Sequence, residues 1–231
     1  MSNFDSLKQA SWEANQKLVT HGLVIHTFGN VSVLDPQAGV FAIKPSGVSY
    51  STLRPEDMVI VDLDCRVVEG KLRPSSDTRT HAVLFKHLPE VRSVVHTHST
   101  HAVAWAQAQM SIPVLGTTHA DMHPAPIPVT PLLDDKAIQG DYEEETGHLI
   151  CRTLDGLEGH DPGMILVAGH GPFTWGPTAD QAVLNSVLLE EVARMAALTL
   201  QIRPATPTLK ATLIRKHFER KHGAKATYGQ S

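Results

Sequence analysis

Apolar positions recur at helical spacing at the start of the chain. Leu7, Ala10, Ala14 and Leu18 share one face, which predicts a helix over residues 3–21 ended by Gly22. The period then shortens. The runs 31–34 and 40–43, separated by Asp35-Pro36-Gln37-Ala38-Gly39, predict a hairpin with a five-residue loop. A turn at 54–57 leads into a strand at 58–62, and a second turn near Asp64 into a short strand ending at Gly70. Pro74-Ser75-Ser76-Asp77 opens a helix to about His87; a strand over 91–98 and a helix over 99–107 follow. Four prolines within 111–130 argue against any long element there. A helix over 143–157 precedes a short buried strand at 164–167, which runs into Ala168-Gly169-His170-Gly171-Pro172. Thr178-Ala179-Asp180-Gln181 has the form of a capping box and starts a helix in which Leu184, Leu188, Val192 and Met195 share a face. After Pro204 and Pro207 a last helix reaches about Arg220, and the tail is polar.

Strands come both in runs and alternating with helices. The pattern predicts an α/β fold: a single-domain sandwich over 1–231 whose central mixed, largely antiparallel sheet is flanked by helices. No repeat, low-complexity linker or compositional shift marks a second domain.

Composition narrows the function class. With 42% apolar and 19% charged residues the chain reads as an ordinary globular domain. A net charge of −4 without a Lys/Arg cluster argues against a nucleic-acid partner, and an anionic ligand needs a local pocket of positive potential. No apolar run approaches the ~20 residues of a membrane span, and acidic and polar residues interrupt the N-terminal segment, unlike a signal peptide. Cys65 and Cys151 fit neither a disulfide framework nor a metal clip, so a reduced, cytoplasmic setting is expected. Histidine stands out, at 14 copies.

Two of those histidines end a β-branched run, Ser93-Val94-Val95-His96-Thr97-His98. If the run is a strand, His96 and His98 point the same way and form half of a metal site. A second buried strand ends at His170, whose glycine neighbours allow close backbone approach, so His170 is the natural third ligand. Asp77 is the best fourth candidate, because a carboxylate beside imidazoles suits Zn²⁺ or a similar divalent ion; an acid in a first helical turn also simply complements the macrodipole. His81 and His101 compete for the same role.

Three small-residue turns come before these residues: Gly29-Asn30, Lys44-Pro45-Ser46-Gly47 and Ser75-Ser76. Each alone is an ordinary turn. Together they have the parts of a phosphate cradle, with backbone N–H groups, hydroxyls and the point charge of Lys44. Ser75 and Ser76 directly precede Asp77, so the anion site and the metal site share a helix start. A sugar phosphate fits both.

Six motifs in order carry a family resemblance: Lys-Pro-Ser-Gly (44–47), Pro-Ser-Ser-Asp-Thr (74–78), Val-His-Thr-His-Ser (95–99), Gly-Thr-Thr-His-Ala-Asp (116–121), Gly-His-Gly-Pro-Phe (169–173) and Lys-His-Gly-Ala-Lys-Ala (221–226) with Tyr-Gly-Gln (228–230). From first helix to tail the chain resembles the L-ribulose-5-phosphate 4-epimerase family of the class II aldolase/epimerase superfamily. The resemblance implies an isomerase that interconverts L-ribulose 5-phosphate and D-xylulose 5-phosphate by breaking and re-forming the C3–C4 bond. It implies one Zn²⁺, or another divalent metal such as Mn²⁺ or Co²⁺, per subunit, bound by His96, His98 and His170 with Asp77 beside it. It further implies substrate held by Gly29, Asn30, Lys44, Ser46, Gly47, Ser75 and Ser76, and Asp121 and Tyr228 as the acid/base pair. Thr117 and His217 are implied as lesser site residues. The assembly implied is a homotetramer, with a tail at about 221–231 completing a neighbouring subunit's site.

One departure is local: Met122-His123-Pro124-Ala125-Pro126 follows Asp121, where the family often has an aromatic pair. Position 77 divides the superfamily. Related fuculose- and rhamnulose-phosphate aldolases have Glu there, and Asp77 therefore points to epimerase. The rival readings are a class II aldolase that cleaves a deoxyketose 1-phosphate to dihydroxyacetone phosphate and an aldehyde, a metallo-hydrolase using His96, His98 and His101, and a non-catalytic sugar-phosphate binder.

Overall fold

The structure, a computed structural model, describes residues 3–158, 161–223 and 226. Among these residues seven strands form one sheet: β1 (Asn30–Asp35), β2 (Val40–Ile43), β3 (Val59–Asp62), β4 (Val67–Glu69), β5 (Ser93–His96), β6 (Met164–Val167) and β7 (Gly171–Gly176). Their order is β4-β3-β2-β1-β5-β7-β6. Every pairing between these strands is antiparallel, and an isolated parallel bridge joins Val129 to Leu166 of β6. Among the described residues the α-helices are α1 (Asp5–Thr20), α2 (Thr78–His87), α3 (Thr100–Gln107), α4 (Thr117–Met122), α5 (Asp135–Gln139), α6 (Tyr142–Asp155), α7 (Ala179–Ile202) and α8 (Ala211–His222).

Alternation along the strands divides the core into layers. Leu34, Phe41, Ile43, Val59, Val61, Val94, Ile165, Phe173 and Trp175 face α2 and α6, where Ala82, Leu84, Phe85 and Ile150 meet them. On the opposite face Val31 and Val95 pack against Ala14 and Leu18 of α1 and Val183 of α7. Met164 and Leu166 pack there against α3 and α7. By the same alternation His96, next after Val95, turns to the α2 side.

The structure corrects several elements read from the pattern. The α1 face that is buried includes Ser11 and Asn15 as well as Ala14 and Leu18. Ser11 Oγ lies 3.2 Å from the Val31 carbonyl and 3.1 Å from that of Ala42, and Asn15 Nδ2 donates to Val31 O at 2.9 Å, so polar side chains bind α1 to the sheet. In α7 the buried side chains are Ala182, Val183, Asn185, Ser186, Leu189, Val192, Ala193 and Ala196, so that of the expected face Val192 is buried while Leu184 and Met195 are 47% and 39% exposed. Small residues let α7 approach the sheet closely, and this overrides the face the large residues suggest. Asp35 pairs with Val40, which shortens the hairpin loop to 36–39. The strand expected over 91–98 runs from Ser93 to His96, whose partners are Asn30, the first residue of β1, and Phe173 within β7. The pattern missed β7 because its Gly-Pro-Phe-Thr-Trp-Gly sequence lacks a β-branched run, and it missed α4 as a single short helix among prolines. No helix among the described residues is long and apolar enough to cross a membrane.

The helix pair α2/α6 is closest at Gly147, where an added Cβ would stand 2.7 Å from Val83 Cβ. Gly147→Val is expected to destabilise the fold by about 1–3 kcal/mol through overpacking, read as a lower melting temperature in thermal unfolding. An unchanged melting temperature would mean that α2 and α6 are not held at this separation.

Candidate metal centre

Antiparallel pairing brings the start of β1, the end of β2, the end of β5, the start of β7 and the end of β6 to one edge of the sheet. The start of α2 joins them: Ser75 N donates to Lys44 O at 3.0 Å, and Ser46 N to Arg73 O at 2.9 Å. The candidate residues therefore converge although they lie in five separate stretches of sequence. A cavity of about 340 Å³ at this edge is lined by Gly29, Asn30, Lys44, Ser46, Gly47, Ser75, Ser76, Asp77, His96, His98 and His170, with Thr27, Phe28 and Pro45.

Three imidazoles form its floor. The possible ligand nitrogens of His96, His98 and His170 all lie within 4.8 Å of one another. His96 is buried; its Nδ1 donates to the Pro172 carbonyl at 3.0 Å, which leaves Nε2 as the nitrogen with a free lone pair. Phe173 stacks under the same ring at 4.3 Å between centroids. The Tyr142 hydroxyl stands 3.3 Å from His170 Nδ1, and the Phe28 ring is 5.5 Å from that of His98. Gly171 is required by closeness: a Cβ there would meet the Thr97 carbonyl at 2.9 Å. Gly29 is required twice over, by φ of +86° and by the His96 carbonyl 3.0 Å from any Cβ.

Electrostatics prepare the floor for a cation. Burial lowers the pKa of His170 to about 4, with neighbouring His96 adding to the effect, and burial also lowers that of His98. Both rings are thus free bases at neutral pH, the form that ligates metal. Burial opposes ionisation of Asp77, but His96, His81 and the hydrogen bond from Asn30 outweigh it and hold its carboxyl below the usual range. Asp77 Oδ2 accepts from Asn30 Nδ2 at 2.6 Å, so the carboxylate stands beside the imidazole triad and outside its tight cluster. Asn30 Oδ1 is buried without a hydrogen-bond partner while lining the cavity. Three neutral imidazoles, an adjacent carboxylate and an orphaned carbonyl oxygen suit a divalent cation carrying an oxygen-rich ligand.

The competing histidines have other partners. His101 Nδ1 lies 2.7 Å from Glu190 Oε1, whose carboxylate also takes the backbone N–H groups of His101 and Ala102. His81 is fully buried under the triad, its Nδ1 2.6 Å from Ser32 Oγ. Asp121 is elsewhere. It sits on α4 against α8, where Arg220 donates to it at 2.8 Å and His217 at 2.9 Å. Burial raises its pKa, but these hydrogen bonds and the charge of Lys221 prevail and hold the carboxyl below the usual range. It lines a separate cavity of about 620 Å³ that shares no lining residue with the first. Thr117 begins α4. Tyr228 lies outside the described residues.

The sequence pattern of the Class II Aldolase and Adducin N-terminal domain matches residues 9–197. The chain belongs to this family. Within it, the chain is 53% identical over 225 residues to the L-ribulose-5-phosphate 4-epimerase UlaF of Salmonella paratyphi B, covering 97% of this chain and 98% of that one. The UlaF protein of Salmonella typhi matches equally, so the resemblance read from the six motifs is borne out. A solved L-fuculose 1-phosphate aldolase superposes with a TM-score of 0.80 at 23% identity, covering 95% of this chain and 97% of its own. The L-fuculose-1-phosphate aldolase of Thermus thermophilus does so with a TM-score of 0.65 at 25% identity, covering 88% and 98%. The α/β sandwich with its antiparallel sheet is thus the fold of the class II aldolases.

Sequence reasoning missed Tyr142, Phe173 and Phe28 around the imidazoles. Phe173 lies within a quoted motif; no local pattern marks the other two.

Burial of His170 has a consequence for the metal-free protein. Its folded pKa, about 4, lies below the ordinary 6.5, so between these values the unfolded chain binds more protons. His81, lowered to about 3 by burial, acts in the same sense. The stability these rings contribute is complete above pH 6.5 and is lost as pH falls toward 4. Metal-free protein is expected to melt at progressively lower temperature as pH is lowered from 7 to 4.5, with a shallower slope in His170→Asn. Equal slopes in the two proteins would contradict this assignment.

Proposed function

We propose that this class II aldolase-family chain is an L-ribulose-5-phosphate 4-epimerase, a metal-dependent isomerase that interconverts L-ribulose 5-phosphate and D-xylulose 5-phosphate. The observation that carries the reading is 53% identity, over nearly the whole length of both chains, to relatives of that name. The cavity supports it: imidazoles and a carboxylate at one end, Lys44, hydroxyls and glycine turns at the other.

The chemistry explains why such a site is needed. Carbon 4 of a ketose 5-phosphate bears no acidic proton, because the carbonyl is at carbon 2. Simple deprotonation therefore cannot invert it, whereas cleavage of the C3–C4 bond, rotation of the aldehyde fragment and re-addition through its other face can. His96, His98 and His170 would hold the metal, taken as zinc, with Asp77 beside it. A bound divalent cation supplies Lewis acidity toward the ketose oxygens, an effect of several kcal/mol in general. Gly29, Asn30, Lys44, Ser46, Gly47, Ser75 and Ser76 retain the phosphate-bearing fragment while it turns. Asp77 is one methylene shorter than the Glu of the related aldolases, so it stays near the imidazoles and reaches less far into the substrate.

Protons must leave the C4 hydroxyl on one face and return on the other. Asp121 and Tyr228 are taken as that pair. The lowered pKa keeps the Asp121 carboxyl ionised, the form that accepts a proton, and at the same time makes it a weak base that must be released from Arg220 and His217 to act. Because Asp121 and the imidazoles line different cavities within one chain, the sites are taken to be built between subunits of a homotetramer. The whole of 1–231 then acts as one domain whose tail, about 221–231, completes a neighbour's site. A cytoplasmic location accords with a phosphorylated substrate and unpaired cysteines.

A coupled assay on metal-loaded enzyme tests the reading: xylulose 5-phosphate is expected from L-ribulose 5-phosphate, and release of dihydroxyacetone phosphate from a deoxyketose 1-phosphate would contradict it. His96→Asn should weaken metal binding by more than the about 10–100-fold that loss of an outer-shell partner costs, and abolish turnover. Full metal content with activity would remove the metal assignment. Tyr228→Phe should cut turnover about 100-fold or more while leaving binding of a substrate analogue nearly intact. Wild-type turnover there would strike the tyrosine from the mechanism.

A further inference from the structure

We propose that Tyr50, which does not line the cavity, is the positioning residue of its anion-binding half, holding both Lys44 and the turn at Gly29 in place. The inference rests on the reading of this cavity as the sugar-phosphate site. Tyr50 is buried, at 6% exposure, in the turn that follows Lys44-Pro45-Ser46-Gly47. It makes two contacts of different kind. Its hydroxyl donates to the Gly29 carbonyl at 2.8 Å and reaches the Phe28 carbonyl at 3.4 Å. Its ring lies under the Lys44 ammonium, with Nζ 4.8 Å from the ring centroid.

Each contact governs a wall of the cavity. Lys44 is 2% exposed, and its Nζ donates only at long range, to Thr27 O at 3.3 Å and Pro45 O at 3.5 Å. Among the described residues no carboxylate stands within 4.0 Å of it. A buried cation without a counter-charge is costly, and the π face of Tyr50 is what steadies it until an anion arrives. Burial accordingly lowers the pKa of Lys44 to about 8. The hydroxyl acts on the other wall. Fixing the Gly29 carbonyl fixes the planar peptide that joins Gly29 to Asn30, and Asn30 lines the cavity. Tyr50 is itself anchored to α1, since Gln16 donates to its carbonyl at 3.1 Å and Trp12 to the Leu53 carbonyl at 2.8 Å.

The test uses metal-loaded enzyme and inorganic phosphate as the probe, read both as a competitive inhibitor and by equilibrium titration. Tyr50→Phe keeps the ring and loses the hydroxyl bond; phosphate affinity should fall about threefold. Tyr50→Leu loses both, and affinity should fall about tenfold or more. In each variant KM for the sugar phosphate should rise in step with the phosphate Kd, while kcat and metal content stay within about twofold. The step from Phe to Leu should vanish in a Lys44→Met background, which a merely structural role would not produce. Wild-type phosphate affinity in Tyr50→Phe overturns the proposal, and so does loss of kcat and metal in parallel with affinity. If Tyr50→Leu does not fold, Tyr50→Phe decides alone. Wild-type enzyme that converts the sugar phosphate but is not competitively inhibited by phosphate overturns the reading of the cavity, and the proposal with it.

Discussion

In the register between β5 and β7, His96 lies opposite Phe173, and β7 turns back on β6 so that Gly171 faces Val167. This pairing brings His96 and His170 to one edge of the sheet with ring centroids 4.7 Å apart. His98 follows two residues beyond the last paired position and completes the group. Side chains alternate along a strand, so a slip of one residue would send His96 to the face packed by α1, α3 and α7. The register is secured by Val94, Phe173 and Trp175, all buried in one layer of the core. The accuracy of the imidazole triad is therefore inherited from hydrophobic packing that extends far below it.

The same edge separates two kinds of electrostatics within one cavity. At the triad, burial keeps His98 and His170 uncharged, and the nearby Asp77 carboxylate supplies the negative charge that a cation seeks. At the other end Lys44 is a desolvated cation with no carboxylate paired to it among the described residues, backed by an aromatic face. A ligand with metal-binding oxygens at one end and a dianion at the other relieves both conditions together. Asp121, by contrast, is already satisfied by Arg220 and His217. Its carboxylate is held charged in a different cavity.

Much of this was legible in the chain, and the reasons for the misses are physical. The hairpin β1/β2 and helices α1, α2 and α6 follow from hydrophobic period and turn residues, within a residue or two at their ends. The α7 face was misread because close approach selected Ala182, Ser186, Ala193 and Ala196 over the larger Leu184 and Met195. Strand β7 was missed because its residues satisfy tertiary demands, Gly171 for closeness and Phe173 for stacking, rather than strand propensity. His96, His98, His170 and the small-residue turns at 29–30, 44–47 and 75–76 were marked by motif, and the sheet edge gathers them around one cavity. Tyr50 and Tyr142 left no trace in the pattern, since their roles exist only once distant segments meet.

The measurement that bears most directly on the central claim is anomalous diffraction from zinc-loaded crystals. The account predicts one strong peak per chain, with His96 Nε2 and one ring nitrogen each of His98 and His170 at about 2.0–2.1 Å from it. A peak coordinated by other side chains, or none at this cavity, would contradict it.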